Sequence, residues 1–374
     1  MASTKSTQRE RLEQWSINPD CEINSSSAIL NVPLSEVAIL RANLDKEANL
    51  ETAPPKASAF PPFASFLGNE FESRLFDGNP SLVEKLLKEA EILDKEAEVK
   101  VKRKPLGNDE RGFLLEEIVQ KSIDSLIKVG SSKPGQAFVF NGFSLPGTSI
   151  QPKSFLEIDA LIAVPNGMDE TIELIVGEVK VYPDKAGRTP AQKTSNTRSQ
   201  AGLYIYILKN WLKGLVNSYP ELSRLRVSEK TILFFQDIAS GLPKITSVES
   251  LKYHYLRSEV AVKNMLRLME SDKYKELLDD ANKHRRADFV NEQPHNFQES
   301  CWSGCAMASA CYLKEVRDDR TLVLGNLAHD QIPNIKLSRA TDLISARSLP
   351  KDEAEADLVE RMMAAKFPEL DELR

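Results

Sequence analysis

Residues 156–180 read LEIDALIAVPNGMDETIELIVGEVK. Two apolar runs, LEIDALIAV and ELIVGEVKV, flank a turn that carries Asn166-Gly167. Short runs rich in Leu, Ile and Val, split by such a turn, predict an antiparallel hairpin. Each run holds an acid where a packed strand favours a hydrophobe: Asp159 in the first, Glu178 in the second. With the loop centred between Met168 and Asp169, Asp159 falls opposite Glu178. Side chains alternate along a strand, so Glu178 and Lys180 share one face with Leu174 and Val176. Facing residues have Cβ atoms about 4.5–5.5 Å apart, a distance at which like charges repel. A hard divalent cation turns that repulsion into chelation, because Mg²⁺ is typically held by one or two carboxylates plus phosphate oxygens. The plainer reading is an exposed hairpin edge with scattered charge.

The chain of 374 residues is long enough for one large or two modest domains. Its 49 basic residues against 55 acidic ones give a net charge of −6, so no global positive field points to nucleic acid. Binding of that kind needs local patches: Lys100–Lys104 (KVKRK), Lys185–Arg198 and Lys283–Arg286 (KHRR). Each of these also reads as a solvated face. No stretch approaches 18 uncharged apolar residues, and the polar start MASTKSTQRERLEQW has no signal-peptide core. The expectation is a cytoplasmic protein with no membrane partner. Three of the four cysteines lie in CWSGCAMASAC at 301–311, and in a reducing compartment such clustering favours metal over disulfides.

Residues 1–65 are irregular and hold Cys21. Helical patterns follow at 66–93 and 112–129, then a strand at 136–145 and the hairpin. A polar loop leads to a helix at 198–216 and a buried strand at 229–237. From 251 to 286 the pattern is helical and charged, and DEAEADLVERMMAAKF reads as an acidic amphipathic helix near the C-terminus. The order helix, strand, strand, strand, helix, strand predicts an α/β fold with a mixed sheet flanked by helices.

Asp159 followed by Glu178-Val179-Lys180 on adjacent strands resembles the signature of PD-(D/E)XK nucleases. Gln200 and Tyr204, four apart on one helix face, are similar to the Q-x-x-x-Y motif of the RecB-like branch. One upstream cysteine with a C-terminal triplet resembles the iron–sulfur members of that branch, the CRISPR-associated RecB-like and AddB-like nucleases. The resemblance covers roughly residues 110–237, plus Cys21 and 301–311. It implies a restriction-endonuclease-like core at 66–250, a helical cluster-binding region at 251–315 that Cys21 of the 1–65 segment completes, and a C-terminal tail at 316–374. In that reading Asp159, Glu178 and the main-chain carbonyl of Val179 hold Mg²⁺ or Mn²⁺. Lys180 stabilises developing phosphorane charge, and Gln200 and Tyr204 orient DNA or water. Tyr204 also reads as a core residue, and Arg198 either takes a phosphate or starts a solvated helix.

Two departures stand out. RecB-like enzymes often carry a metal-ligating His on the first core helix, whereas this chain has His only at 254, 284, 295 and 329. Gly112-x-x-x-Glu116 occupies that pattern and makes Glu116 the first-helix acid, with Gly68-x-x-x-Glu72 as the alternative. The triplet is Cys301-x3-Cys305-x5-Cys311 rather than the family's C-x2-C-x5-C; the extra residue suits a helical turn. Cys21, Cys301, Cys305 and Cys311 are the four thiolates a [4Fe–4S] cluster needs, and Zn²⁺ is the alternative. The resemblance implies a metal-dependent deoxyribonuclease acting on DNA ends or single strands. The alternative is a DNA-binding subunit whose site is idle or gated by a protein partner at the C-terminal region.

Overall fold

The computed structural model describes residues 15, 18–50, 70–78, 80–102, 115–133, 135–147, 155–166, 170–184, 191–237, 239–280, 282–298, 301–302, 305–324 and 335–366. Helices α1 (Glu22–Leu30) and α2 (Leu34–Glu47) come first, followed by α3 (70–76) and α4 (Leu82–Glu89). Strand β1 (Glu98–Lys102), helix α5 (Leu115–Gly130) and strands β2 (Gln136–Pro146), β3 (Phe155–Pro165) and β4 (Ile172–Asp184) lead to the long helix α6 (Ala191–Leu215). Strands β5 (Leu225–Asp237) and β6 (Pro243–Ser250) complete the sheet. Helices α7 (Lys252–Met269), α8 (Asp272–Asp279), α9 (Lys283–Glu292), α10 (Ala308–Arg317), α11 (Leu337–Ile344) and α12 (Glu353–Lys366) follow.

The six strands lie side by side in chain order. The β2–β3, β3–β4 and β5–β6 pairs are antiparallel, while β1–β2 and β4–β5 are parallel. This is the expected α/β architecture with a mixed sheet and flanking helices. The β3–β4 register places Ala160 opposite Gly177 and Leu161 opposite Val176, so Asp159 is one step further, level with Glu178. The hairpin is drawn closed where Asn166 N–H donates to the Thr171 carbonyl at 2.8 Å.

Alternation sorts the sheet into two faces. Ala137, Val139, Ala160, Ile162, Ile175, Val179, Ile232 and Phe234 form one core with Phe71, Leu75 and Phe76 of α3 and Val83 and Leu87 of α4. Gly177 lies on that face, where an added Cβ would come within 2.9 Å of Ala160 Cβ and 3.2 Å of the Phe234 ring. The opposite face carries Phe138, Phe140, Leu161, Val176, Asp159, Glu178 and Lys180, by the same register. Helices α5 and α6 pack there, α5 on β2 and β3 and α6 on β4 and β5, and none of their residues joins the first core.

The predicted helix at 66–93 is two helices. Gly78, at φ +97°, and Pro80 break it, and Ser81 restarts it by accepting from Glu84 N–H. The helix expected from 198 begins at Ala191, and the strand expected from 229 begins at Leu225. Gly202 lets α6 approach α7, because a Cβ there would meet His254 Cβ at 2.7 Å.

The described residues fall into two units. One comprises those within Ala59–Glu276, with Trp15, and holds the sheet; the other comprises those within Asn18–Ser58 and Leu277–Arg374. In the second unit α1 is buried from Ile23 to Leu30, including Asn24, Ser25, Ser26 and Ser27, and α9 packs against α1 and α2. No single described helix is long and apolar enough to cross a membrane; α1 and α2 pass that test only as a pair bent by 119°.

Candidate metal centre and thiol cluster

The β3–β4 ladder ends at Ala160 and Gly177. Beyond it the Asp159 carboxylate takes over, its Oδ2 accepting from Val179 N–H at 3.0 Å. The same oxygen lies 3.4 Å from Lys180 Nζ, and the ammonium also pairs directly with Glu178 Oε1. Glu178 is fully buried, and Asp159 nearly so. A buried carboxylate carries a large desolvation cost unless charge and hydrogen bonds offset it. Lys180, with about a quarter of its side chain exposed, supplies that charge to both acids at once. Among the described residues Asp159 Oδ1 makes no hydrogen bond, which leaves one carboxylate oxygen available as a donor to a hard cation.

The remaining expected residues divide by sheet face. Gln200 Nε2 donates to Tyr204 Oη at 2.7 Å, joining the i, i+4 pair along α6 on the Asp159 face. Tyr204 is fully buried, so its hydroxyl acts inside the fold and only Gln200 is part-exposed. Arg198 is engaged by Glu249 of β6 through two contacts, Nε–Oε1 at 3.0 Å and Nη2–Oε2 at 2.9 Å. Glu116 begins α5, on the Asp159 face; its side chain lies outside the described residues, as do the KVKRK residues beyond Lys102. Glu72 sits on α3, whose Phe71, Leu75 and Phe76 pack on the opposite face from Asp159 and Glu178.

Two features of the site were not read from the sequence. Glu157 is buried and, two residues before Asp159, lies on the same face, so alternation alone makes it a third acid there. Gly142, at φ +69°, falls between the pairs Asn141–Ala160 and Phe143–Ile158, level with Asp159 on its other side. A side chain would be strained there.

Cys21, Cys301, Cys305 and Cys311 are all buried, all free of disulfides and all in the second unit. Cys21 precedes α1, and Cys305 N–H donates to the Cys301 carbonyl at 2.9 Å, the one-turn spacing that the extra residue in the triplet suggested. Cys301 Sγ accepts from Asn18 Nδ2 and from Gln298 N–H, each at 3.4 Å. Burial pushes the Cys311 thiol well above its ordinary pKa, and the charges of Cys305, Cys21 and Cys301 push it further. Burial also raises Cys21, against the lowering effect of backbone N–H groups of Asn296, Asn24 and Ile23. The 21 and 301–311 segments are thus electrostatic neighbours. Among the described residues, no group of three or more Cys, His, Asp or Glu side chains is arranged so as to hold a metal ion.

Comparison with protein-family models, with curated proteins and with solved structures gives no match.

Proposed function

We propose that the chain is a divalent-metal-dependent deoxyribonuclease. One observation carries this reading: two buried carboxylates on adjacent strands, Asp159 and Glu178, share the Lys180 ammonium. A sheet stabilises itself more cheaply with apolar residues at such positions, so the group is kept for what it does. The resemblance to PD-(D/E)XK nucleases, with a restriction-endonuclease-like core, supplies the reaction class. The order α5, β2–β3–β4, α6, β5 supports this reading.

Asp159 and Glu178, with the main-chain carbonyl of Val179, would hold Mg²⁺ or Mn²⁺. Such an ion polarises a phosphoryl oxygen and lowers the pKa of attacking water. Lys180 holds a fixed positive charge beside both acids, placed to meet negative charge as it develops on the phosphate. Asp159 fixes the main chain of Val179 through its N–H, so the backbone enters the site at a set position. Gln200, tied to a buried Tyr204, presents its amide from a rigid base.

The four thiols of the second unit are the proposed ligands of a structural [4Fe–4S] cluster, with Zn²⁺ as the alternative. Their shared burial and their place in one unit support this, because four sulfur donors brought together are the ligand set that such a cluster or Zn²⁺ takes. The thiols would close on the metal as it binds, and metal-binding free energy would then be folding free energy for this unit.

The test is digestion of labelled single-stranded, linear duplex and circular DNA with Mg²⁺, Mn²⁺ or EDTA. Metal-dependent cleavage that Lys180→Ala abolishes is the expected result. Wild-type rates in Lys180→Ala would overturn the site assignment.

A further inference from the structure

On the face that carries Asp159 and Glu178, the outer strand β1 presents Lys100 and Lys102 beside Phe138 and Phe140 of β2. The two rings stack at 6.2 Å, and each supports an ammonium: Lys100 Nζ lies 6.0 Å from the Phe138 centroid and Lys102 Nζ 5.2 Å from that of Phe140. Lys100 also has a carboxylate, Glu98, at 3.6 Å. Lys102 has none. Its polar contact is Ser125 Oγ on α5, at 3.5 Å. One turn along the same helix comes Lys128, which is exposed.

A half-buried ammonium ordinarily takes a carboxylate partner, since burial without one disfavours the charge. Here burial, and then the charge of Lys128, hold Lys102 below its ordinary pKa. Among the described residues neither lysine pairs with an acid. A ring and a hydroxyl, both neutral, steady the Lys102 side chain without cancelling its charge. Two positive groups from separate elements, one pre-positioned on an aromatic base, therefore form an uncompensated notch in a chain of net charge −6.

We propose that Lys102 and Lys128 form a phosphate-binding notch that grips the DNA backbone beside the catalytic carboxylates. The inference rests on the proposed function only for taking DNA as the substrate. Lys102 pairs with Phe140, Phe140 pairs with Leu161, and Asp159 is two residues from Leu161. Two strand spacings across and two residues along put Lys102 and Asp159 about 12 Å apart at Cα. That separation spans only a few phosphates of a bound strand. The notch would hold the strand just outside the cleavage point and read no sequence, since phosphate contacts set position rather than specificity.

The test measures binding of the full chain to a fluorescent duplex in EDTA, over a series of salt concentrations. Removing two phosphate contacts in Lys102→Gln/Lys128→Gln should lessen the slope of log affinity against log salt by about 2. The loss should be the same on unrelated sequences, and Lys102→Arg/Lys128→Arg should restore the slope. Because Lys128 is exposed, Lys128→Glu tests the notch without risk to the fold and should weaken binding at low salt. An unchanged slope in both the double variant and Lys128→Glu overturns the proposal, as does wild type that binds no DNA. Since binding is read without metal, absent cleavage by a wild type that still shows these slopes would sink the nuclease reading alone.

Discussion

The two units of this chain are held together by different means. In the sheet unit the strands follow chain order, and a continuous apolar core joins α3 and α4 to one sheet face. The second unit has short helices, and its central helix α1 buries Asn24, Ser25, Ser26 and Ser27 among its few hydrophobes. Besides buried hydrophobes such as Leu30, Val37, Leu277 and Val290, it is tied by single polar links: Asn18 Nδ2 to the Asn296 carbonyl at 2.6 Å, Ser27 Oγ to the Val32 carbonyl at 2.7 Å, and Arg286 to the carbonyls of Leu277, Leu278 and Asp280. Each such bond contributes about 1 kcal/mol, against about 1.5–3 kcal/mol for each fully buried large apolar side chain. The sheet unit rests on one continuous apolar core, whereas the second unit mixes buried apolar side chains with buried polar groups and four buried thiols.

The largest effect should fall on chemistry alone. Asp159→Asn should lower metal-dependent cleavage by at least ~10²-fold, as loss of a preorganised electrostatic group does. Both units should unfold as in wild type, and joint loss of stability and activity would mean that Asp159 is chiefly structural. The next effect separates the units. Cys21→Ser or Cys311→Ser should strip iron and brown colour from anaerobically purified protein, and limited proteolysis should then cut within 18–58 and 277–374 while the sheet unit survives. Retention of metal and protection in Cys21→Ser would exclude it from the cluster.

A smaller effect belongs to the sheet unit. Gly202→Ala adds a methyl against His254 Cβ and, at 2.9 Å, its main-chain carbon, so overpacking should cost about 1–3 kcal/mol by denaturant titration. If the variant gains stability, α6 and α7 are free to move apart. Smallest of all, Tyr204→Phe leaves Gln200 without its 2.7 Å partner. The cost should be about 1 kcal/mol, with metal affinity by calorimetry unchanged and cleavage reduced through looser positioning of Gln200. A loss of metal binding would make the pair part of the metal centre.

Legibility in the sequence followed the same division. The hairpin register was readable because Pro165-Asn166-Gly167 and the apolar runs leave one pairing that keeps both sets of side chains buried. The grouping of Gln200 with Tyr204 needed only helix periodicity. Strands β1 (EVKVK) and β6 (PKITSVES) escaped notice because they are the edges, where charged and polar residues blunt further pairing and hide the apolar alternation. Glu157 was hidden by attention to a single acid per strand. The second unit shows helices in its sequence but not their grouping: its links span almost the whole chain, and the cysteines were what hinted that residue 21 and residues 301–311 belong together. The two sheet faces, which the sequence does not show, separate the helix of Glu72 from that of Glu116.

The discontinuity of the second unit also sets a timetable. Cys21 is made 280 residues before Cys301. At about 5–20 residues per second the ribosome takes roughly 14–56 s to cover that distance. The whole sheet unit leaves the ribosome first, and its strands pair with sequence neighbours as they emerge, so it folds without waiting. Throughout that interval the segment around Cys21 has no partner, and its thiol is open to oxidation or to scavenging by other metals. A chain that stalls after residue 276 would hold a finished sheet and an orphaned thiol, whereas the proposed metal, delivered only after termination, would find all four cysteines at once. On the proposed cluster reading, supply of metal to the finished chain, rather than the speed of sheet formation, would then limit how much mature protein accumulates.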